Sequence, residues 1–140
     1  IFARHGQVLP PRLVQQPPAS PPAFTPLPET YWRSVLEGMI EVVHGASGTA
    51  RKVGLGAAYT MAGKTGTTQV FGLKKNQRYQ KYSLPVHLQD HALFIALAPA
   101  HEPRIVVAVI AENGGGGSAV AAPIARTVLD AYLNVSIHAP

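Results

Sequence analysis

The stretch MAGKTGTTQVFG, residues 61–72, places Lys64 and Thr65 between Gly63 and Gly66 and follows them with Thr67 and Thr68. An ammonium next to hydroxyls, on backbone cleared by glycine, is an arrangement that can hold an anionic ligand. Glycine weakens a strand and usually marks a bulge or a close approach by a ligand or another backbone. An ordinary exposed strand therefore explains this stretch poorly. A phosphate-binding loop of the type G-x-x-x-x-G-K-[ST] explains part of it, since Gly63, Lys64 and Thr65 match its end. Its first glycine is replaced by Ala58, however, and a helix should begin at the lysine, where TGTTQVFG favours a strand.

Other residues with chemical potential give way to simpler readings. His87, Asp90 and His91 lie close in sequence and suggest a metal, but Asp90 and His91 precede an apolar strand, where loop hydrogen bonds are the better reading. His44 at a helix end complements the helix dipole. His101 and Glu102 read as turn residues, and Glu112 and Asn113 as the end of a strand. Lys74, Lys75, Arg78 and Lys81 supply much of the net charge of +5. This cluster reads as a solvated basic loop before it reads as an anion-attracting surface. With only Tyr79 and Tyr82 nearby for stacking and no accompanying motif, nucleic acid is not an expected partner. The absence of cysteine excludes disulfides and thiolate metal sites. No metal or other cofactor is expected.

The 140 residues suffice for a domain with a core, and the 46% apolar content is ordinary for a globular chain. No apolar run is long enough to span a bilayer. Ile1 in place of an initiator Met suggests a processed start or a piece of a longer chain. Residues 1–30 are proline-rich, which excludes helix and central strand; GQVLPPRLVQQ has room for a short edge strand, and PPASPPAFTPLP reads as a surface linker. Trp32, Val35, Leu36, Met39, Ile40 and Val43 recur at helical period, with Thr30 as N-cap and Gly45 as the stop. GASGTARKVGLGAA reads as a loop, Tyr59 to Phe71 as a strand, and residues 72–89 as a long, lid-like loop. ALFIALAPA and RIVVAVIAENG read as a hairpin buried on both faces. GGGGS, though linker-like, leads straight into apolar sequence and reads as native. The last helix, near 120–133, carries a predicted buried stripe of Ala121, Ile124, Val128, Ala131 and Tyr132. The order gives an α+β fold: an antiparallel sheet of at least three strands flanked by helices.

In this context the Lys-Thr-Gly triplet resembles the third box of the penicillin-recognising serine enzymes. AGKTGTTQV, DHALFIALAP and GSAVAAPI resemble the C-terminal part of the class B penicillin-binding protein transpeptidase domain, above all its elongation-specific Gram-negative members. The resemblance covers about residues 30–133. It implies that 1–140 is the C-terminal part of one transpeptidase domain, of penicillin-binding and β-lactamase-like fold. It also implies acyl transfer from D-Ala-D-Ala stem peptides through a serine acyl-enzyme, with β-lactams as mimics. Lys64 is then the catalytic charge beside the groove, and Thr67 gives its backbone N–H to the oxyanion hole. Thr65, Gly66, Thr67 and Thr68 bind substrate, Gly66 because a Cβ there would intrude. The implied partners are peptidoglycan stem peptides, β-lactams, the rest of the same domain and a polytopic membrane glycosyltransferase. The implied location is the periplasmic face of the inner membrane.

The nucleophile is missing from this chain. None of Ser20, Ser34, Ser47, Ser83, Ser118 and Ser136 has Lys three residues on, and none begins Ser-x-Asn. The chain by itself is expected to be inactive. A β-lactamase, a D,D-carboxypeptidase and a non-catalytic sensor module on the same fold are the alternative readings.

Overall fold

The structure, a computed structural model, describes residues 1–8, 13–14, 23–24, 26–70 and 85–133. The basic cluster with Tyr79 and Tyr82, most of the expected 72–89 loop, the tail after Leu133 and much of the proline-rich segment lie outside the described residues.

At the start, β1 (Gln7–Val8) pairs antiparallel with β2 (Ala23–Phe24). The short edge strand expected here is present, and its partner lies inside the segment expected to be linker. Helix α1 (Glu29–His44) starts earlier than its apolar stripe suggested. Thr30 is within its first turn rather than capping it; Pro28, with φ −54°, holds the N-cap position. Gly45 is the C-cap, as expected, and a Cβ there would come within 2.6 Å of the Glu41 carbonyl oxygen. Trp32, Met39 and Val43 are buried, whereas Val35 is exposed.

The segment read as a loop contains a short helix, α2 (Arg51–Gly54), whose Val53 reaches the core. The main sheet follows. Strands β3 (Ala62–Thr68), β4 (His91–Ala98) and β5 (Ile105–Ala111) form an antiparallel sheet in the order β3-β4-β5. Tyr59 and Thr60 precede β3 instead of belonging to it, and Phe71 lies outside the described residues. The register pairs Lys64 with Ile95, Gly66 with Leu93, and Ile95 with Ala108.

The hairpin is not buried on both faces. Successive side chains alternate across a sheet, and β5 alternates between half-buried and exposed residues. One face of the sheet, bearing Ala92, Phe94, Ala96 and Ala98, packs in the main core with Val43, Val53, Met61 and α3 (Ala121–Tyr132). On the other face Leu97 and Ala62 pack with Met39 of α1, but Ile95, Val106 and Ile110 are 44%, 61% and 67% exposed.

Helix α3 occupies the predicted span but buries a different side. Ala121, Ala122, Ala125, Leu129 and Asp130 face the core, while Ile124, Val128 and Tyr132 are exposed. The sheet face beneath it is rich in alanine, so the helix lies close and presents its own small residues. Leu129 is the one large apolar side chain of α3 on this side; Ile124, Val128 and Tyr132 lie away from the sheet. Gly117 just before α3 shows the same close approach: a Cβ on it would collide with the carbonyls of Gly66 and Leu93.

Candidate functional site

The Lys-Thr-Gly residues lie on β3, an edge strand among the described residues. An edge strand leaves every second N–H and C=O unpaired, which suits it to pairing with an extended peptide. Two faces meet at such an edge. The sheet period puts Lys64, Gly66 and Thr68 on one face, and Thr65 and Thr67 on the other. Lys64 is exposed, beside Ile95 in the register, and its Nζ donates to the Thr65 carbonyl oxygen at 2.6 Å. Thr67 and Thr68 are exposed and Thr65 is half-buried.

Thr65 has a neighbour that the spacing of the sequence did not reveal. Its Oγ1 lies 3.1 Å from Oγ1 of Thr49, in the turn that leads into α2. Thr49 falls in GTARKVG, but no local periodicity relates it to β3; only the tertiary fold brings the hydroxyls together. That turn is itself held by the Ala50 N–H, which donates to the Val42 carbonyl at 2.9 Å. Ahead of β3, the Met61 N–H donates to Nε2 of His44 at 3.1 Å. His44 thus anchors the strand's entry in addition to ending α1.

The bracketing glycines have separate reasons. A Cβ on Gly63 would sit 2.6 Å from Cζ of Phe94, the largest of the fully buried side chains. On Gly66 it would lie 3.2 Å from the Leu93 Cβ, and the Gly66 backbone also receives Gly117. A Cβ at Gly66 would press on the Leu93 side chain across the sheet, while the turn before α3 makes its demand at Gly117, whose own Cβ would collide with the Gly66 and Leu93 carbonyls.

Among the described residues, no group of three or more His, Asp or Glu is arranged to hold a metal. His91 Nδ1 instead accepts from the Asn113 N–H at 2.9 Å, and the Asp90 carbonyl from the Gly115 N–H at 2.8 Å. These are loop hydrogen bonds, joining the start of β4 to the turn after β5. Asn113 carries a positive φ of 54° there. No helix among the described residues is long and apolar enough to cross a membrane.

Residues 1–130 match the family model of the penicillin binding protein transpeptidase domain. The peptidoglycan D,D-transpeptidase MrdA of Haemophilus influenzae is 52% identical over 103 residues, 74% of this chain and 16% of that protein. The chain therefore spans about one sixth of that curated relative. The structure of Pseudomonas aeruginosa PBP2 in complex with WCK 5153 superposes with a TM-score of 0.76 at 44% identity, over 94% of this chain and 28% of that one. Penicillin-binding protein A of Mycobacterium tuberculosis, in its ceftriaxone acyl-enzyme complex, gives a TM-score of 0.55 at 35% identity, over 74% and 21%.

Proposed function

The chain belongs to the penicillin-binding protein transpeptidase family, and from that membership we propose that it is the Lys-Thr-Gly part of a peptidoglycan D,D-transpeptidase of the PBP2 type. The observation that carries this reading is the placement of Lys64, Thr65 and Gly66 on an edge strand. There a stem peptide can add itself as a further strand. Residues 1–140 form the C-terminal part of one transpeptidase domain. The remainder of that domain supplies the nucleophilic serine and the Ser-x-Asn hydroxyl.

The serine Oγ attacks the carbonyl carbon between two D-alanines, and the terminal D-Ala leaves with the proton. The amine of a neighbouring stem then takes the acyl group and restores the serine. Lys64 sets a positive charge beside the reacting hydroxyls and the substrate carboxylate. Thr65 and Thr68 contact that carboxylate end of the peptide. The Thr67 N–H points its dipole at the oxyanion; one such donor contributes about 2.7–4 kcal/mol of transition-state stabilisation. The partners are peptidoglycan stem peptides, β-lactams and a polytopic glycosyltransferase, at the periplasmic face of the inner membrane.

The test is fluorescent-penicillin labelling of the whole protein that contains this chain, followed by intact mass. We expect covalent labelling on a serine outside residues 1–140, and none on this chain expressed alone. Labelling within these residues would overturn the assignment of roles. Rapid hydrolysis and release of the penicillin would move the protein to the β-lactamases.

A further inference from the structure

Arg126 and Asp130, one turn apart on α3, lie on its inner side. The Arg126 Nε donates to both carboxylate oxygens of Asp130 at 2.8 Å. Its Nη1 donates to the Val53 carbonyl at 2.6 Å and the Leu55 carbonyl at 3.5 Å, and Nη2 to the Gly56 carbonyl at 3.4 Å. The guanidinium carbon is 5.7 Å from the centre of the Tyr59 ring, within cation–π range. The Tyr59 hydroxyl donates to Asp130 Oδ1 at 2.7 Å. Arg126 thus ties down the carbonyls that end α2, and Asp130 holds the residue that leads into β3.

The segment between these anchors bears on the site at both ends. Upstream, α2 begins two residues after Thr49, whose hydroxyl meets that of Thr65. Downstream, Tyr59 is followed by Met61, tethered to His44, and by Ala62, the first residue of β3. Residues 49–61 are therefore a strap whose middle is gripped by α3. A planar guanidinium can bind a carboxylate and several carbonyls at once, which a lysine ammonium cannot do in the same geometry.

We propose that Arg126, Asp130 and Tyr59 are positioning residues for the Lys-Thr-Gly strand, fixing the 49–61 strap and through Thr49 the direction of the Thr65 hydroxyl. This rests on the transpeptidase reading of β3. The three residues touch no reacting atom; their effect passes through Thr49, Thr65 and the entry of β3.

The experiment measures penicillin acylation rates of the whole protein as native, Arg126→Gln, Arg126→Lys and Tyr59→Phe, each alone and with Thr65→Val. Melting temperatures and circular dichroism accompany every variant. Arg126→Gln should lower the acylation rate constant roughly ten- to a hundred-fold, the scale for small misplacements of reacting geometry. Arg126→Lys should fail to restore it. In the Thr65→Val background the Arg126→Gln loss should largely vanish, because coupled residues are not additive. Should Arg126→Gln fail to fold, Tyr59→Phe removes only a hydroxyl and should show the same dependence on Thr65 at smaller size. Rates within twofold of native, additive losses, or full rescue by Arg126→Lys would each overturn the proposal. If the native protein is not acylated at all, the transpeptidase reading falls first and the positioning role with it. If the native protein is acylated and the variants are unaffected, only the positioning role falls.

Discussion

At Gly63 the missing Cβ is a packing requirement. Gly63→Ala would press a methyl against the Phe94 ring at 2.6 Å, in the most buried part of the sheet. Overpacking of this kind destabilises by about 1–3 kcal/mol. We expect thermal denaturation to show a lower melting temperature for Gly63→Ala, partly restored when Phe94→Leu is added. Lys64 carries the opposite expectation. It is exposed, and its hydrogen bond goes to its own neighbour's carbonyl, so Lys64→Ala should leave stability within about 0.5 kcal/mol. In the whole protein the same change should reduce penicillin acylation by one to two orders of magnitude, the scale of roughly 1.5–3 kcal/mol for a hydrogen bond to a charged group. Stopped-flow or gel-based acylation kinetics separate the two effects.

At the scale of elements, what the sequence made legible depended on how local the cause was. The helical-period stripe of α1 and the strand-favouring residue types of β3 arise within one segment, and the order of helix, strand, hairpin and helix could be read from such cues. The burial of α3 could not, because its partner is an alanine-rich sheet face contributed by β4. Ile124 and Val128 look like core residues until that close approach is known. Similarly, Lys64, Thr65 and Gly66 were legible as a motif, whereas Thr49, His44 and Arg126 enter the site's surroundings through contacts across 16 to 73 positions of chain. The grip of α3 on the strap also has a pH signature. Burial first, then the hydrogen bond and negative charge of Asp130, push the Tyr59 phenol well above its ordinary value of 10.0, while Arg126 pulls it down. A phenol protonated more firmly in the folded chain gives stability that is complete below about pH 10, where the unfolded phenol titrates. That stability declines as pH rises toward the folded value. Denaturant midpoints between pH 9 and about 11 should therefore fall more steeply for the native chain than for Tyr59→Phe. Asp130→Asn, which weakens the pair with Arg126, should cost about 1.5–3 kcal/mol at neutral pH, measured by urea unfolding.

For the whole molecule, the sheet has one finished face and one unfinished face. Ile95, Val106 and Ile110 form an apolar strip on the same side as Lys64. Exposed contiguous apolar surface promotes association. The chain expressed alone should therefore self-associate at micromolar concentration by sedimentation or light scattering, and Val106→Lys with Ile110→Lys should reduce this. We expect the remainder of the domain to cover this strip, so in the whole protein the same pair of changes should lower thermal stability.

The grip of α3 on the strap has a further consequence in time. During synthesis, β3 leaves the ribosome well before Arg126 and Asp130 exist. Until α3 emerges and docks, the carbonyls of Val53, Leu55 and Gly56 lack their guanidinium partner and Tyr59 lacks its carboxylate. A nascent chain stopped after β5 should carry an intact Lys-Thr-Gly sequence and yet hold the strap loosely. The Lys-Thr-Gly edge would then be completed only late in translation, once α3 has docked on the strap.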